Sequence, residues 1–153
     1  MKNKLIISLV LLISTIIPGV CLALPAPCSQ EELLQSSDFA VEGTVTKIEC
    51  GEPYESNECT AKEGNGDFVP ELLAKCTATV KVTQNIKGQY NMGDTAEIPY
   101  LQLVQKCENG DHILPGSPIK NFVPNSLIKY YNSEQCKYWN YSQIKVPPSS
   151  TSE

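Results

Sequence analysis

The chain has 153 residues, with 17 acidic side chains against 12 basic ones, a formal net charge of −5, seven cysteines and no arginine. Readers of phosphate and base edges depend on arginine forks and basic grooves, so this balance argues against nucleic acid as a partner and against adhesion to an anionic membrane surface.

The first residues have the layout of a secretory signal. Lys2 and Lys4 form a positive start, Leu5 to Ile17 an apolar run, and Pro18-Gly19 a break before small residues. The run is shorter than the roughly 20 residues a membrane span needs, and no later stretch approaches that length, so no integral span is expected. Cleavage after Ala23 defines residues 1–23 as a signal peptide and predicts an extracytoplasmic product, secreted or periplasmic. A cut before Cys21, leaving a lipid anchor on that residue, is the alternative. Loss of Lys2 and Lys4 takes the net charge from −5 to −7. Residues 24–145 are then expected to form one domain, and the proline-led polar tail 146–153 to be disordered.

Cys21 leaves with the signal, so six cysteines remain: Cys28, Cys50, Cys59, Cys76, Cys107 and Cys136. An even set in an exported chain reads as up to three disulfides, with about fifteen connectivities open to sequence. No C-x-x-C pair is present, which argues against both a structural zinc site and a redox motif.

Ser29 and Glu32 have capping-box spacing and predict a short helix with Leu33 and Leu34 on its apolar side, ending at Ser37-Asp38. From Phe39 the period becomes two. Phe39, Val41 and Val45 share a face, and the slip to Ile48 with Gly43 nearby predicts a bulged, bent strand. Gly51 to Lys75 is polar and acidic and reads as a solvated loop, without the alternating carboxylates of a calcium loop. A Cys50–Cys76 bond would close about 27 residues there and contribute about 3.5 kcal/mol in the chain-entropy account. After Cys76, Ala78, Val80 and Val82 alternate with Thr77, Thr79, Lys81 and Thr83, and Ile86 continues the buried line to a turn at Lys87-Gly88. A third strand is predicted over Thr95 to Leu103, with Pro99 marking an edge or a bulge. ENGD and LPGSP read as turns. A final hairpin is predicted from Ser126–Tyr131 and Cys136–Lys145, rich in the β-formers Tyr130, Tyr131, Tyr138, Trp139 and Tyr141. About five strands with one capping helix fit a small closed or partly open OB-type barrel, with a β-sandwich as rival.

The order of these features resembles the netrin-like domain family, and within it microbial proteins similar to tissue inhibitors of metalloproteinases. The segments SDFAVEGTVTKI and VKVTQNIKG, followed by Gly93-Asp94, carry the resemblance, which covers roughly Cys28 to Cys107. It implies a five-stranded OB-fold barrel with flanking helices, and a bond from Cys28 to Cys107 clamping the segment ahead of the helix. It also implies a protein partner, such as an extracellular protease, met by the edge Cys28, Ser29 and Gln30. In the animal inhibitors a free N-terminal cysteine ligates the protease's zinc through its amine and carbonyl. Here Pro27 precedes Cys28, and Gln30 stands where the family has its second cysteine, so that chelation is not expected to carry over.

Two other functions follow from the residues themselves. Tyr138, Trp139 and Tyr141, with Tyr130, could serve as stacking platforms for a glycan or another small ligand. An enzyme is not expected: His112 is the only histidine, no G-x-S-x-G surrounds Ser117, and oxidised cysteines offer no thiolate. No cofactor or metal is called for, and the oligomeric state is not encoded in any motif. The sequon Asn140-Tyr141-Ser142 has meaning only in a eukaryotic host.

Overall fold

The computed structural model describes residues 26–62, 64, 67–112 and 116–144. The signal segment 1–23 and the tail 146–153 lie outside them, as do Leu114 and Pro115 of the expected LPGSP turn. The elements are α1 (Gln30–Ser36), β1 (Ala40–Cys50), β2 (Tyr54–Glu55), β3 (Cys59–Ala61), β4 (Leu72–Lys87), β5 (Thr95–Gln105), β6 (Gly110–His112), β7 (Leu127–Tyr131) and β8 (Tyr141–Gln143).

Helix α1 starts at the capping box. Ser29 Oγ accepts from the Glu32 amide at 3.2 Å, and the Ser29 amide donates to the Glu32 carboxylate at 2.7 Å. Seven residues do not hold a helix alone in water. Leu33 buries against Tyr131 and Cys136, and Lys87 Nζ donates to the Leu34 carbonyl at 2.7 Å near the helix end. Ser37, in extended backbone, ends the helix where the sequence places its stop.

The main sheet is antiparallel and runs β5-β4-β1-β7-β8, with the short β2 beside β4 beyond the end of β1. The register of β1 on β4 slips between Val45 and Lys47, where the hydrophobic phase slips, and again between Glu42 and Gly43. Gly43 is required here: a Cβ would sit 2.5 Å from the Lys81 carbonyl oxygen and 2.6 Å from Val80 Cγ1. The bends curl the sheet around a core that includes Val45, Ala78, Val80, Ile98, Phe122 and Ile128. Each fully buried valine there contributes about 1.5–3 kcal/mol relative to exposure. On β4, Ala78, Val80 and Val82 are buried as the alternation requires, while Ile86 is half-buried against the helix side. Strand β5 runs two residues past the predicted Leu103, to Gln105, and among the described strands pairs with β4 alone, an edge position that tolerates Pro99.

A closed barrel is not found. Among the described residues β5 and β8 share no strand pairing. The gap between them is filled by residues 116–122. The Lys120 amide donates to the Leu101 carbonyl at 2.8 Å, and Ile119 bridges Leu101 in parallel. Phe122 lies between Tyr100 of β5 and Tyr141 of β8, with ring centroids at 4.6 and 4.5 Å. The two outer strands are therefore joined through this segment, by a backbone bond to β5 and by ring packing to β8, and not by pairing with each other.

Two predicted segments differ. The stretch from Gly51 to Lys75 is not merely a solvated loop. It contains β2, β3 and the start of β4, and it buries Ser56, Cys59 and Glu71. Its partners are distant in sequence: β3 pairs β6, Val69 bridges Glu108, and Cys59 bonds Cys107. Gly110 of the expected ENGD turn is thereby drawn into β6. The second strand of the final hairpin is only Tyr141–Gln143. Residues 133–140 turn instead, with Ser133 Oγ accepting from the Cys136 amide at 3.0 Å and the Trp139 amide donating to the Cys136 carbonyl at 2.9 Å.

Candidate functional site

All six cysteines among the described residues are bonded: Cys28–Cys136, Cys50–Cys76 and Cys59–Cys107. The Cys28–Cys107 bond implied by the family resemblance is therefore absent. The sheet order accounts for this. Cys107 follows β5 at one edge, beside the β3–β6 pair, whereas α1 packs on the β7–β8 connection at the opposite edge. Cys50 and Cys76 are register partners across β1 and β4, so their bond staples the base of the acidic segment.

The edge Cys28, Ser29 and Gln30 is fixed at two points. Cys28 is half-buried and tied to Cys136, while Ser29 and Gln30 are exposed, with the Ser29 side chain and amide spent in the capping box. Behind it, Ser36 Oγ meets Ser133 Oγ at 2.6 Å, a second link between helix and connection. The Glu32 carboxyl is held below the usual carboxylate range chiefly by the Ser29 amide.

The candidate stacking residues differ in burial. Tyr130 is buried, and burial, with Glu134 adding a smaller effect, pushes its hydroxyl up to about 12. Tyr141 lies against Phe122 in the core and donates to the Asn121 carbonyl at 3.2 Å. Tyr138 is half-buried and donates to the Gly116 carbonyl at 2.6 Å. Trp139 is half-buried, and its Nε1 is enclosed without a hydrogen-bond partner.

What sequence reasoning missed is a cavity of about 530 Å3 between the β4–β5 pair and the β7–β8 connection. Tyr100, Lys120, Tyr130, Glu134, Lys137 and Asn140 are among its walls. Lys120 is half-buried, and its Nζ donates to the Lys137 carbonyl at 2.8 Å. Burial lowers its ammonium to about 8, with Glu134 opposing the shift. Nothing in PIKNF marks this lysine, because the residues around it are assembled from four separate parts of the chain.

His112 is exposed on β6, and its neighbour Asp111 is ion-paired with Lys62 at 3.1 Å. Ser117 donates both its amide and its hydroxyl to the Glu58 carboxylate, which anchors residues 116–118 to the β2–β3 segment. Among the described residues no group of three or more His, Cys, Asp or Glu could hold a metal ion, and no helix is long and apolar enough to cross a membrane. Comparison with protein-family models, curated proteins and solved structures finds no match for this chain.

Proposed function

We propose that the chain is an exported, disulfide-locked protein-binding module of the netrin-like, OB-type class, and that it inhibits an extracellular protease without the N-terminal zinc chelation of the inhibitors it resembles. Its contact surface is the edge Cys28, Ser29 and Gln30. The observation that carries this reading is the double anchorage of that edge: the Cys28–Cys136 bond and the Ser29–Glu32 capping box hold an exposed segment rigid. A surface ordered before binding avoids the entropy cost of ordering it on contact. Three disulfides fit an oxidising compartment. The run β5-β4-β1-β7-β8 of the six-stranded sheet, curled so that Phe122 bridges its outer strands, fits a partly open OB barrel.

With Pro27 ahead of Cys28, the cysteine nitrogen is an amide and has no lone pair to offer zinc. The edge therefore binds by shape and hydrogen bonding. Titration of the oxidised chain against a panel of extracellular metalloproteinases tests the inhibitor form. At least one should be slowed in proportion to added chain, and Gln30→Arg should weaken that effect tenfold or more without altering the fold. No slowing of any protease removes inhibition from the proposal.

A further inference from the structure

We propose that the cavity between the β4–β5 pair and the β7–β8 connection binds a small organic carboxylate with a flat apolar body, and that Lys120 is its anchoring cation. This is independent of the edge proposed above, since none of Cys28, Ser29 and Gln30 lines the cavity and it needs no protein partner.

Three observations carry it. First, Lys120 makes no ion pair: among the described residues no carboxylate lies within 4.0 Å of its Nζ, and Glu134, whose charge acts on it from further off, is turned to Lys137 at 3.6 Å. Second, only one of the three ammonium donors is used, on the Lys137 carbonyl. A partly desolvated cation with free donors is costly unless a charge-assisted partner arrives, and a carboxylate supplies both charge and acceptors. Third, the walls suit an organic ligand better than an inorganic anion. Pro99, Leu101 and Pro118 give it apolar lining beside the edges of Tyr100 and Tyr130, and about 530 Å3 falls within the range of small-molecule sites. The lowered ammonium agrees with a site built to be neutralised on binding. In a chain that carries a net negative charge and no arginine, an unpaired lysine facing a cavity is the natural seat for an anion.

Amide NMR titration of the oxidised full chain at neutral pH, with phenylacetate, 2-phenylethanol and 2-phenylethylamine as probes, decides the matter. Phenylacetate should give saturable shifts at Tyr100, Lys120 and Asn140 with millimolar affinity or better. The neutral alcohol should bind at least tenfold more weakly, and the amine should leave those signals in place. Lys120→Met should keep the dispersed spectrum and lose tenfold or more in phenylacetate affinity. Absence of saturable shifts at the cavity, equal binding of acid and alcohol, or undiminished binding by Lys120→Met each overturns the proposal. Should that variant fail to fold, the acid-against-alcohol comparison on the unaltered chain still decides.

Discussion

At Gly43 the strands β1 and β4 meet where the chain has no side chain. In Gly43→Ala the new Cβ would lie 2.5 Å from the Lys81 carbonyl oxygen and 2.6 Å from Val80 Cγ1. Ordinary carbon contacts begin near 3.5 Å, so β1 and β4 must part locally by about 1 Å. Overpacking of this kind costs about 1–3 kcal/mol, and weakening one backbone hydrogen bond adds about 1 kcal/mol. The expected loss is about 2–4 kcal/mol, or a fall in Tm of roughly 8–16 °C for a domain of this size. Gly51→Ala is the control: its Cβ would meet only the Lys75 carbonyl oxygen, at 3.7 Å. That variant should stay within about 0.5 kcal/mol of the parent or gain slightly from a stiffer unfolded chain. Urea unfolding followed by circular dichroism measures both. Equal midpoints for the two variants would refute the close approach of β1 to β4, and with it the bulged path of β1.

Replacing Cys28 and Cys136 together by alanine opens a loop with a sequence separation of 108, for which the chain-entropy account gives a loss of about 5 kcal/mol. Thermal unfolding should show it, and hydrogen exchange should show α1 losing protection before β1 and β4. Ser29→Ala should cost about 1 kcal/mol through the lost cap. The other half of the box, the bond from the residue-29 amide to the Glu32 carboxylate, survives that substitution; because it holds the Glu32 carboxyl low, its contribution is present above the carboxyl's unfolded value and is lost as pH falls through its folded one, and a carboxyl-detected NMR titration should place Glu32 below an exposed glutamate. Asn140 is only 4% exposed and its Nδ2 faces the Ser133 carbonyl, so folded protein secreted from a eukaryotic host should carry no glycan at Asn140, which intact mass will show.

Local chemistry was legible in the sequence and long-range assembly was not. The Ser29–Glu32 box, the slip between Val45 and Ile48, and the buried line Ala78, Val80, Val82 each follow from neighbours a few residues apart. The partner of Cys28 depends on which sheet edge α1 covers, and no spacing encodes that. The same holds for Gly51 to Lys75, whose polar composition hides β3 because β6 and Cys107 organise it from far along the chain. Tyr138 and Trp139 read as strand residues by composition, yet the Cys28–Cys136 bond and the Ser133 turn hold them in a connection. The Lys120 cavity is likewise a product of assembly alone.

Three specific bonds lock the fold and tie down the edge at Cys28. A non-reducing peptide map of the oxidised protein by mass spectrometry reads them. Linked peptides are expected for Cys28–Cys136, Cys50–Cys76 and Cys59–Cys107. A peptide joining Cys28 to Cys107, or a free thiol at Cys136, would contradict this pairing.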